Sequence, residues 1–84
     1  MTDIEFEILD SLYFLVSFEE LKTELGYSEE ILKKELLQLI KKGWVKFMEK
    51  ITDREIDDLK EFEFHYNEYN YLATKEGLFA HNSK

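Results

Sequence analysis

The chain has 84 residues, 44% hydrophobic and 15% aromatic, with 19 acidic against 11 basic side chains and a formal net charge of −8. That length holds one small core and no second one, so a single domain over 1–84 is expected, and the apolar content takes the chain out of the disordered class. The absence of cysteine removes a disulfide scaffold and fits a cytoplasmic setting; no apolar run approaches the roughly 18 residues of a membrane span, and the opening residues do not read as a signal peptide.

The first predicted element is a helix over 3–16. Ile4, Ile8, Leu12 and Leu15 recur at helical spacing, with Leu9 and Val16 beside them. Phe6 and Tyr13 share a different face and Phe14 is displaced further, so this helix has more apolar surface than one core can use. Ser17 and Glu20 have the spacing of a capping box and open a second helix over Phe18–Leu25, which buries Phe18, Leu21 and Leu25 and stops at Gly26. Ser28 caps a third helix over 29–42, with Leu32, Leu36, Leu39 and Ile40 inward, Glu29 and Glu30 at its positive end, and Lys41 and Lys42 before Gly43. The chain contains no proline, and its three glycines, Gly26, Gly43 and Gly77, fall where the apolar period breaks and read as punctuation.

After Gly43 the period changes to two. Residues 44–50 read as a strand. The charged stretch 53–60 reads as a loop or a short helical insert. Alternation of Phe62, Phe64 and Tyr66 with Glu61, Glu63 and His65 predicts a second strand from Glu61, bent near Asn67 and Glu68 and continuing through Tyr69 and Tyr71 to Ala73. Thr74 then caps a short last helix containing Leu78, Phe79 and Ala80. The expected fold class is α+β: a three-helix core, a β-hairpin and a short C-terminal helix.

The run from Leu21 through Leu25-Gly26, the Ser28 cap, Leu32, Leu36 and Leu39 to Gly43-Trp44-Val45 resembles the winged helix-turn-helix superfamily of small bacterial regulators of the MarR, PadR and ArsR types. Tyr71, Leu72, Ala73, Thr74 and Gly77 are similar to that family's end-of-wing pattern, and only 51–67 lies outside the resemblance. The resemblance implies that the third helix is a recognition helix and the hairpin a wing. Its outward residues are then Glu30, Ile31, Lys34, Leu37, Gln38 and Lys41, joined by Lys50.

The chemistry of that surface departs from the family's. The third helix carries four lysines against three glutamates, has no arginine for a bidentate guanine contact, and leads with two glutamates. From Glu49 to Glu63 there are seven acidic residues against three basic ones, which reverses the counterion-release term that drives phosphate binding. Lysines 33, 34, 41, 42, 46 and 50 support at most a weak, salt-sensitive strip. The aromatics Trp44, Phe47, Phe62, Phe64, Tyr66, Tyr69 and Tyr71 are interleaved mainly with acids and read as cross-strand packing rather than a base-stacking platform. His65 and His81 have no metal-ligand spacing around them, and two serines are caps, so no metal, cofactor or catalytic residue is expected.

Two functions remain open. One is a DNA-associated transcription regulator, weak or dimeric, as the resemblance implies. The other is an acidic protein-interaction module that keeps the fold without DNA. In either case a homodimer through Phe6, Tyr13, Phe14 and Phe79 is expected from the surplus apolar surface.

Overall fold

The computed structural model describes residues 1–83. Helix α1 (Asp3–Ser11) starts at a capping box in which Thr2 and Glu5 each bond the other's backbone N–H. It is shorter than the periodicity predicts. The chain leaves the helix at Leu12, whose carbonyl accepts from the Ala73 N–H at 2.9 Å instead of continuing the helical ladder. Leu15, expected inward, is therefore exposed, while Val16 and Ser17 form β1 (Val16–Ser17). Ser17 also caps α2 (Phe18–Leu25), and Gly26 ends it in the left-handed conformation at φ 75°. Ser28 caps α3 (Glu29–Lys41), which buries Leu32, Leu36 and Leu39. Leu25 and Ile40, expected in the core, are only half-buried.

Strand β2 (Val45–Glu49) follows, and its alternation puts Val45 and Phe47 into the core. The stretch 53–60, read as a loop or a short helical insert, holds a short β3 (Glu55–Ile56) that pairs with β2 and the start of α4 (Leu59–His65), which begins at an Asp58 cap. The second strand expected from Glu61 is interrupted, because α4 runs on to His65 and into a single 3₁₀ turn over Tyr66–Glu68. Only β4 (Tyr69–Ala73) matches the strand expected there. The physical reason is that Phe62 and Tyr66 lie four apart. That spacing suits one helical face as well as alternate strand positions, and Phe62 is fully buried while Phe64, between them, is 76% exposed. Helix α5 (Lys75–Asn82) closes the chain from its Thr74 cap.

The four strands form one antiparallel sheet in the order β1-β4-β2-β3, with Phe47 opposite both Tyr71 and Ile56. The three N-terminal helices cover one face, and the core joins Ile8, Leu9, Phe18, Leu36, Phe47 and Phe62 to Tyr71. Phe47 and Phe62 meet edge-on with ring centres 5.7 Å apart, and Phe18 meets Tyr66 at 5.0 Å. The Tyr71 hydroxyl donates to the Tyr66 carbonyl, and burial pushes its pKa up. Gly77 is not punctuation. It sits inside α5, where an added Cβ would lie 2.1 Å from the Trp44 carbonyl oxygen.

Candidate functional site

The outward stripe of α3 emerges as expected. Ile31, Lys34, Gln38 and Lys41 are exposed and follow one face of the helix, with Ile31 44% accessible. Leu37 departs from the expectation: it turns partly inward and packs against the core. Lys50 lies in the turn after β2, next to Ile51, which is 96% exposed.

The insert between β2 and β4 sits against this helix. Lys33 on α3 donates to Glu63 on α4 at 2.8 Å, and its ammonium lies 4.9 Å above the Tyr66 ring. The Tyr66 hydroxyl donates to Glu29 at the start of α3, a bond that holds its pKa above the ordinary tyrosine value, with burial adding to the shift. These partners are 30 and 37 residues apart in sequence. No local pattern announces them. An Asp58 cap ahead of a run of good helix formers was the available signal for α4.

The cations near this surface are largely engaged inside the chain. Besides Lys33, Lys42 bonds Glu5 and lies 4.7 Å over the Trp44 ring, Lys46 is 3.9 Å from Glu55, and Arg54 pairs with Glu49. Arg54 and Thr52 hold the Glu49 carboxyl below the usual range. Lys34, Lys41 and Lys50 make no ion pair among the described residues. His65 bonds Glu68 alone, and no group of three or more His, Asp and Glu is placed to share a metal ion among the described residues.

Where α1 meets α5, Phe6 is half-buried and Tyr13 makes contacts within the chain while staying 40% exposed. Phe6 stacks on His81 of α5 at 4.2 Å, and the Tyr13 hydroxyl is 2.8 Å from His81 Nδ1 and donates to Asn82. Phe14 and Phe79 stay 80% and 72% exposed. No helix among the described residues is long and apolar enough to cross a membrane.

Three helices, a strand-bounded insert in the wing position and a Thr-capped last helix make this a winged-helix domain of the α+β class. The solved structure titled "Multiple Antibiotic Resistance Repressor, MarR" superposes on it with a TM-score of 0.77, over 99% of this chain and 53% of that one. The two are 21% identical, a likeness that establishes the fold, and this chain spans about half the length of the matched structure. No protein-family model matches the sequence, and no curated protein does.

Proposed function

We propose that this chain is a non-catalytic winged-helix module that binds protein rather than a specific DNA site. The observation that carries this reading is the acidic insert seated along the N-terminal half of α3 through Lys33–Glu63 and Tyr66–Glu29. A duplex approaching α3 in the usual way would meet Glu29, Glu30 and the carboxylates of the insert, and the cations there that make no ion pair among the described residues, Lys34, Lys41, Lys50 and Lys60, are too few to offset them. Exposed Ile31 on the same helix suits an apolar protein contact better than a base edge.

A second reading is the DNA-associated regulator. It is favoured by the matched structure, whose title names a repressor, and it would use Lys34, Gln38, Lys41 and Lys50. In both readings exposed Phe14 and Phe79 support a homodimer.

Fluorescence anisotropy of labelled duplex DNA at about 50 and 200 mM salt separates the two. The protein-binding reading expects only weak binding, indifferent to sequence, with a shallow salt slope. Replacing Lys34 and Lys41 together should remove what binding there is. Nanomolar, sequence-selective binding at the higher salt refutes the reading.

A further inference from the structure

We propose that the groove between the C-terminal end of α3 and the β2–β3 hairpin docks an extended, basic segment of a partner protein through one apolar anchor residue. The inference rests on the protein-binding reading above and gives it a place and a chemistry.

β3 is the outermost strand, paired on one side with β2. Its other side is an unpartnered sheet edge. Beside it runs a groove of about 410 Å³ lined by Ile40, Phe47, Ile56 and Leu59 among others. Phe47 and Ile56 close its floor, while Ile40 is half-buried and Leu59 is 39% exposed, so apolar surface is open at the mouth. The volume accommodates a leucine- or phenylalanine-sized side chain.

A second cleft, of about 420 Å³, shares Glu55, Ile56 and Asp57 with this groove and adds Asp58 and Glu61. Asp57, Asp58 and Glu61 make no ion pair among the described residues. Two nearby cations are already answered, Lys46 by Glu55 and Arg54 by Glu49. Lys41 is the cation left on the α3 bank.

β3 is thus common to an apolar groove and an acidic cleft. A strand added to its edge gains main-chain hydrogen bonds and sends alternate side chains to opposite faces. Such a segment would place its anchor in the groove, and lysine or arginine flanking the anchor would meet Asp57, Asp58 and Glu61 in the adjoining cleft. Charge complementarity selects a basic occupant. A second copy of this chain, at −8, fits badly, and so does a nucleic acid.

The test is a fluorescein-labelled synthetic peptide of about ten residues, with a single phenylalanine among lysines and arginines, titrated with the full chain near physiological salt. Saturable binding is expected. Asp57→Lys and, separately, Leu59→Gln should each weaken it about fivefold or more. Both side chains are exposed, so a matched thermal melt serves as the folding control. Glu19→Lys on α2 makes the same charge change elsewhere and should leave binding within about twofold. Amide chemical shifts should move at residues 55–59 and not on α2.

No saturable binding, equal weakening by Glu19→Lys, or unchanged binding by both groove variants overturns the docking site. Failure of the peptide together with absent specific DNA binding removes this groove alone. Tight, sequence-selective DNA binding removes the protein-binding reading beneath it.

Discussion

Replacing Gly77 by alanine tests how closely α5 lies on the sheet. By helix propensity alone the change is favourable by about 1 kcal/mol, since alanine is the best helix former and glycine among the worst. Geometry opposes it. The new methyl carbon would lie 2.1 Å from the Trp44 carbonyl oxygen and 2.9 Å from its carbonyl carbon. Both are backbone atoms, and that oxygen also accepts the Thr74 N–H at 2.9 Å. α5 must therefore move away or β2 must bend. Overpacking of this kind costs about 1–3 kcal/mol, and opening the Thr74 bond adds about 1 kcal/mol. The net expectation is a loss of about 2 kcal/mol. A domain of this size has a total of about 4–12 kcal/mol to draw on, and the loss corresponds to a fall in Tm of about 10 °C. Urea denaturation followed by circular dichroism measures it, with the slope against denaturant unchanged. Gly26→Ala is the reference. Its φ is 75° with nothing within 4 Å of an added Cβ, so it pays only the left-handed backbone penalty of about 1–2 kcal/mol. A Gly77→Ala protein as stable as the parent, or more so, would refute the packing argument.

Acid should weaken the tie between α1 and the end of α3. Burial pushes the Glu5 carboxyl up, but the Lys42 ammonium and the Thr2 backbone N–H outweigh it and hold the carboxyl below its ordinary value. The unfolded chain therefore takes up the proton first as pH falls. The contribution is complete at pH 7, declines below the ordinary glutamate value of about 4.3, and is gone below the folded value. Glu5→Gln should cost about 1–3 kcal/mol at pH 7, with a difference from the parent that shrinks as pH drops toward about 3; a difference constant over that range would contradict the pairing. The proposed homodimer predicts a mass twice that of the chain in sedimentation at tens of micromolar, reduced by Phe14→Glu with Phe79→Glu. A parent protein that is monomeric at those concentrations would remove the dimer.

Helices α2 and α3 were legible in the sequence to within a residue, because each has a Ser cap at one end, a glycine in the left-handed conformation near the other and a leucine stripe between. β1 was not, since two residues have no period to detect and Val16 continues a helical pattern. The insert was misread for a related reason. Phe62, Phe64 and Tyr66 satisfy a two-residue period on paper, and only packing reveals that Phe64 faces water. At the candidate site, exposure of Ile31, Lys34, Gln38 and Lys41 followed from helical spacing. What spacing does not carry is which cations are already neutralised. Lys33 and Lys42 read as a basic strip, yet each is bound to a carboxylate distant in sequence.

The burial of Phe62 has a kinetic consequence. A wing that projects as a free hairpin must be immobilised by whatever it grips, at about 1–2 kcal/mol for each residue ordered. Here the wing-position insert is ordered beforehand: Phe62 has no accessible surface and the Tyr71 hydroxyl holds the turn that follows α4. Association at this face then surrenders little chain freedom. It should proceed as a rigid encounter limited by orientation, with rate constants of about 10⁵–10⁷ M⁻¹s⁻¹ that rise for basic partners and fall as salt is added.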